Sequence, residues 1–178
     1  NITSLCGISD HEHVTELDFS SKNVNAVDAA LVVRELSLCS SLVKCNLLKN
    51  NIGIKQANAL GAVLAEHLTL QSLCGLDSTA TEADFSNQNL TAPDVALVGH
   101  DLRKNKSLTQ ITLGGEESGW VKKGQVQGDS HDVGAVVVYC GRECTVTKAP
   151  DSVGDLKFRY PPFTLTAGMV EIDLSGCG

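Results

Sequence analysis

The segment Ser72-Leu73-Cys74-Gly75-Leu76, followed by Glu82-Ala83-Asp84-Phe85-Ser86, nearly repeats Ser4-Leu5-Cys6-Gly7-Ile8 followed by Glu16-Leu17-Asp18-Phe19-Ser20. Self-similarity at a fixed spacing constrains the fold before any local signal does. Each copy must form the same supersecondary unit and bury its apolar face against a neighbour. Stacked units present extended surfaces to partners rather than enclosed pockets. The chain therefore reads as a binding protein and not as an enzyme.

A shorter unit lies inside the duplication. Leu42, Cys45, Leu47, Asn50 and Ile52 place apolar residues around a turn asparagine. The same frame fits Val14, Leu17, Phe19, Lys22 and Val24, and again Ala80, Ala83, Phe85, Gln88 and Leu90. Leu108, Ile111 and Leu113 begin another copy, as do Met169, Ile172 and Leu174. Val14 and Leu42, like Ala80 and Leu108, stand 28 residues apart. Two apolar residues around one outward residue make a short strand with one buried face. The asparagine side chain then satisfies backbone groups where the chain turns away. Only Asn50 is standard there; Lys22, Gln88 and Cys177 depart from the pattern.

Behind the strands the spacing predicts helices over Ala26 to Leu38 (Ala29, Ala30, Val33, Leu36) and Ala57 to Leu68 (Leu60, Val63, Leu64, Leu68). Asn25 with Asp28, and Thr91 with Asp94, have the spacing of N-terminal capping pairs, with Pro93 allowed in the first turn. The intervals from Ile2 to Val14 and from Leu70 to Ala80 leave no room for a helix. Each Leu-Cys-Gly strand is expected to turn straight into the next, with Gly7 and Gly75 supplying the backbone freedom.

One strand and one helix per unit resembles the ribonuclease-inhibitor-type leucine-rich repeat, and the duplicated Ser-Leu-Cys-Gly block resembles repeats of unicellular algae and other protists. The resemblance covers 1–114 and 164–178. It implies an α/β fold, a curved leucine-rich repeat solenoid with a parallel sheet on the concave side and helices on the convex side, and says little about the ligand. The chain begins at Asn1 inside a repeat and stops at Gly178 after a strand motif, as expected of a piece of a longer protein.

From Gly114 the chain becomes Gly-rich, β-branched and helix-poor. Strands are expected at Trp120–Val126, Val136–Tyr139, Glu143–Lys148 and Leu156–Tyr160, with turns at Gly128-Asp129-Ser130, Cys140-Gly141 and Pro150 to Asp155. Short strands and tight turns suggest a small barrel. Tyr139-Cys140-Gly141-Arg142, Thr147-Lys148-Ala149-Pro150-Asp151 and Gly154-Asp155-Leu156-Lys157 resemble small Src-homology-3-type barrels, and Ser118-Gly119-Trp120-Val121-Lys122 resembles a closing strand. Pro161-Pro162 departs from that pattern and leaves the strand order open. The organisation expected is thus repeats over 1–114, a small β-barrel-like insertion over 115–163 and a resumed repeat strand over 164–178.

Composition bounds the partners. The chain has 178 residues, 42% of them hydrophobic, and a net charge of −7, which argues against nucleic acid. No apolar run reaches membrane-spanning length and no signal peptide is visible, so an intracellular setting, cytoplasm or organelle interior, is expected. Seven cysteines follow no zinc-ribbon spacing. Cys39 and Cys45 read as small hydrophobes. Cys140 and Cys144 could face each other across a hairpin, with reduced thiols favoured. Asp10-His11-Glu12-His13 could offer imidazoles to a metal, yet the corresponding loop has none, and no metal or other cofactor is expected. Nothing supplies catalytic geometry among Asp129, Ser130, His131 and Cys144.

The best functional signal lies on the outward strand face. Its residues are Ser4/Cys6, Glu16/Asp18, Lys44/Asn46, Ser72/Cys74, Glu82/Asp84, Gln110/Thr112 and Glu171/Asp173. Three strands carry a Glu-x-Asp pair, and in a continuous sheet these pairs would lie roughly 14 Å apart, too far to share one ion but suited to spaced Lys or Arg side chains. Glu16, Asp18, Glu82, Asp84, Glu171 and Asp173 are thus candidates for binding a basic protein. Trp120 and Tyr139, with Tyr160, could form an aromatic groove in the β insertion. The expected function is a non-catalytic protein–protein interaction scaffold, a structural subunit of a larger, multi-subunit assembly. The alternative is an inhibitor or sensor wrapping a single basic protein.

Overall fold

Each strand–helix unit joins a three-residue strand to a helix through a seven-residue turn. The computed structural model describes residues 13–115 and 117–166. In it β1 (Glu16–Asp18) leads to α1 (Ala26–Leu36), β2 (Lys44–Asn46) to α2 (Ile54–Glu66), and β3 (Glu82–Asp84) to α3 (Ala92–Lys104). The strands expected at Leu17, Cys45, Ala83 and Ile111 are all present, the last within β4 (Gln110–Gly114). No helix intervenes between Gly75 and Ala80. The strand expected at Leu5 and the motif from Met169 to Leu174 lie outside the described residues.

The turn asparagine does the work its position implies. The Asn50 carbonyl oxygen accepts the N–H groups of Lys22 and Val24 at 3.1 and 3.0 Å, while its amide donates to the carbonyls of Phe19 and Leu47 at 2.8 and 2.9 Å. One buried side chain thereby ties two successive turns together. The capping pairs form as well. Asp28 accepts the Asn25 N–H, and Asp94 accepts the N–H and hydroxyl of Thr91. The buried helix faces are rotated from the expected ones. α1 buries Ala29, Val32, Glu35 and Leu36, and α2 buries Ala57, Leu60, Gly61 and Leu64. Leu68 lies past the end of α2 and is 93% exposed.

The continuous parallel sheet of a solenoid does not form. Among the described residues, parallel ladders pair only β1 with β2 and β3 with β4, in separate sheets. The segment after α2 finds its further partners elsewhere. Ser72 to Cys74 leans on β2 through the Cys45-to-Ser72 and Leu47-to-Leu73 backbone bonds, but makes only isolated bridges. The N–H groups of Leu73 and Cys74 go instead to the Asp101 carboxylate of α3, at 2.7 and 3.1 Å. A side chain has taken the donors that a further strand would need. The expected curved parallel solenoid is therefore replaced by three helices and small mixed sheets.

The chain divides into two compact units. One comprises Asn1–Thr81 with Leu90–Leu108, and the other Glu82–Asn89 with Thr109–Gly178. The first holds all three helices. The second holds a three-stranded sheet, β3-β4-β9, and a curled antiparallel half-barrel in the order β5-β8-β7-β6. Here β5 is Val121–Lys122, β6 Val136–Tyr139, β7 Arg142–Lys148, β8 Asp155–Arg159 and β9 Pro162–Thr166. The stretch expected as one strand from Trp120 to Val126 is shorter, because a 3-10 turn at Lys123–Gln125 follows β5. Pro162 opens β9, a place where a missing N–H is tolerated. β9 then runs antiparallel to β4, with Leu165 opposite Ile111. The half-barrel closes over Val137, Val146, Leu156 and Phe158, all at most 1% exposed.

Candidate functional site

On a strand, successive side chains point to opposite faces, and directly opposed residues share a face. In β8, Leu156 and Phe158 turn into the half-barrel, so Asp155, Lys157 and Arg159 turn outward. Lys157 stands opposite Lys148 on β7. The β5–β8 register, Val121 with Leu156, brings Trp120 level with Lys157 on the other side. The row across three strands is therefore Trp120, Lys157 and Lys148. The Trp120 ring centre lies 5.2 Å from the Lys157 ammonium and 5.8 Å from that of Lys148.

The indole is 52% exposed. Glu117 joins the row, accepting Lys157 at 3.3 Å and the Thr147 hydroxyl at 2.8 Å. Those hydrogen bonds, Thr147 first and Lys157 second, hold the Glu117 carboxyl below its usual pKa. Lys148 forms no salt bridge among the described residues. Arg159, on the same face, donates to the Asn87 carbonyl oxygen at 3.1 Å. The outcome is a cationic face built around one exposed aromatic ring, on a chain that is acidic as a whole.

Trp120 and Tyr139 do not share a groove. Tyr139 and Tyr160 pack on Phe158, with ring centres 5.0 and 5.3 Å away, on the inner side of β8. Arg142 covers Tyr160 at 5.4 Å. Trp120 stands on the outer side, so the three rings expected together are split by the sheet.

The acidic residues serve the turns. Asp18 accepts the Ser20 N–H at 2.9 Å, and Asp84 that of Ser86 at 2.8 Å. Asn46, at the same place in β2, accepts Leu48 N–H at 3.2 Å. This shared Asx geometry ends each strand. The Asp18 carboxyl is lowered chiefly by its side-chain bond to Ser20, and that of Asp84 by the backbone of Ser86. Glu16 is opposed by Lys44, whose ammonium reaches it at 3.1 Å and Asp77 at 2.9 Å. Glu82 is exposed, with Gln110 opposite on β4. Glu16 and Asp18 belong to one compact unit, Glu82 and Asp84 to the other. Glu171 and Asp173 lie outside the described residues.

The remaining chemistry is engaged locally. The hairpin turn at Cys140-Gly141, both with positive φ, pairs Tyr139 with Arg142 and puts Cys144 opposite Val137. Cys140 stays exposed in the turn and Cys144 is buried, both as free thiols, rather than facing each other. Ser130 bonds Asp132, and the His131 ring faces the Val126 carbonyl at 3.5 Å. Among the described residues no group of three His, Cys, Asp or Glu side chains could hold a metal ion. No helix among them is long and apolar enough to cross a membrane.

Lys148, Lys157 and Glu117 were not legible as a site in the sequence. The alternation around Leu156 and Phe158 marks Lys157 as outward. The irregular register between Val146 and Lys148, however, hides which lysine meets it. No family model, no curated protein and no solved structure matches the chain.

Proposed function

We propose that the chain is a non-catalytic protein–protein interaction scaffold, a subunit of a larger assembly, that docks through the outer face of β5, β8 and β7. One observation carries this reading: Trp120, the chain's single tryptophan, is left half exposed with two ammonium groups near its ring. Tryptophan is among the residues on which binding energy concentrates at interfaces. The acidic strand residues take a lesser part, since Asp18 and Asp84 are spent on turns and Glu16 on Lys44. The local likeness of the Leu42-to-Ile52 motif to leucine-rich repeats is retained as a proposal of kinship for the strand–helix units alone. The free thiols of Cys45, Cys74, Cys140 and Cys144 fit an intracellular setting.

The test is native co-purification with the wild type and with Trp120→Ala. Loss of the same stable subunits from the variant, with its circular dichroism unchanged, is the expected result. Retention of every subunit by the variant would refute the docking face.

A further inference from the structure

We infer that the Trp120–Lys157–Lys148 row binds an extended protein segment in which an acidic residue neighbours an apolar one. The inference rests on the docking reading above and names the chemistry of the partner.

Charge counting carries it. Lys148 and Lys157 are direct cross-strand partners. Like charges placed so close repel and weaken the sheet. Glu117 takes Lys157 and the Thr147 hydroxyl as its bonded partners and reaches Lys148 through charge alone, and the Trp120 ring faces both ammoniums. Among the described residues the row therefore holds two ammonium groups and one carboxylate. One carboxylate set against Lys148 would balance it, forming a charge-assisted hydrogen bond.

The indole decides what accompanies that carboxylate. A free inorganic anion would leave the exposed ring in water, whereas an apolar side chain beside the acid would cover it. A long polyanion such as nucleic acid meets a chain of net charge −7 and is repelled at distance. A protein segment with a single acidic group adjoining an apolar residue satisfies both parts of the row.

Because Trp120 is the only tryptophan, its fluorescence reads the site directly. The wild type and Lys148→Gln would be titrated with a short peptide of alternating Glu and Leu. Control titrations would use the same peptide with Gln for Glu, inorganic phosphate, and a short single-stranded oligonucleotide. Lys148 is exposed and without a salt bridge among the described residues, so its replacement should leave the fold intact. The expected result is saturable binding of the Glu peptide that weakens about tenfold in Lys148→Gln, the size of one charge-assisted contact. Gln peptide, phosphate and oligonucleotide should each bind at least about tenfold more weakly on the same reasoning.

Equal binding of the Gln peptide, tighter binding of phosphate or oligonucleotide, or no response to the Glu peptide would each overturn the inference. Concentration-dependent self-association that disappears in Lys148→Gln would overturn it too, by making a second copy the occupant. If Trp120→Ala loses its native subunits while the Glu peptide fails to bind, the docking face stands and only the partner chemistry falls.

Discussion

Asp101 and Ser72 are joined by a 2.5 Å hydrogen bond, hydroxyl to carboxylate, with both residues buried. The same carboxylate takes the N–H groups of Leu73 and Cys74, while the Ser72 oxygen accepts Cys74 and Leu76 N–H. A helix side chain thus stands where a neighbouring strand's carbonyls would otherwise be. Burial raises the Asp101 pKa above 3.8, with the hydrogen bonds from Ser72, Leu73 and Cys74 working in the other direction.

Asp101→Ala leaves the Ser72 hydroxyl and the Leu73 N–H without their acceptor, while the Cys74 N–H keeps Ser72. The substitution should cost about 3 kcal/mol, each orphaned donor being worth about 1–3 kcal/mol and the effects overlapping. Chemical denaturation followed by far-ultraviolet circular dichroism measures it, and a loss below about 1 kcal/mol would show that water replaces the carboxylate. The pH dependence has a definite sign. A folded pKa raised above the unfolded one means that Asp101 contributes most below 3.8 and progressively less as pH rises through its folded value. The stability gap between the wild type and Asp101→Asn, which does not titrate, should accordingly shrink over that interval.

Asn50 separates shape from chemistry. Asn50→Asp keeps the acceptor for Lys22 and Val24 but turns a carboxylate oxygen toward the carbonyls of Phe19 and Leu47. The aspartate variant should be no more stable than Asn50→Ala, each losing about 2–4 kcal/mol. A nearly wild-type unfolding midpoint for Asn50→Asp would show that the amide donor is dispensable.

Gly61 makes room for a ring. A methyl group there would collide with the His100 imidazole, which bonds Asn58 at 3.3 Å across the α2–α3 contact. Gly61→Ala should lose about 1–3 kcal/mol by overpacking, and His100→Ala in the same chain should recover most of it. Additive costs in a double-mutant cycle would place the strain elsewhere.

Asp84 is a turn residue. Asp84→Asn can still accept the Ser86 N–H, while Asp84→Ala cannot. Thermal denaturation should show the alanine variant melting below the asparagine one. The Asp84 carboxyl has its pKa lowered in the fold, so its contribution is present above 3.8 and is lost as pH falls through the folded value. Equal melting points for the two variants would return Asp84 to the list of free binding groups.

The local units were legible because their signals are short-range. Capping pairs three residues apart and a turn asparagine act on chain within reach, so Asn25–Asp28, Thr91–Asp94 and Asn50 behave as their spacing implies. The sheet as a whole was not. Whether Leu73 joins a further strand depends on Asp101, far along the chain on another element, and nothing near Leu73 announces it. The same holds for the site. Trp120 was visible as an aromatic residue, but its lysines come from strands whose register is set by an irregularity that composition does not show.

The three helices among the described residues lie in one compact unit and the chain's only tryptophan in the other. The chain therefore carries two separate clocks of its own unfolding. Far-ultraviolet ellipticity tracks the helical unit, and indole emission tracks the half-barrel. Coincident transitions would mean that both units melt as one cooperative block. Split transitions would give each unit its own stability without cutting the chain.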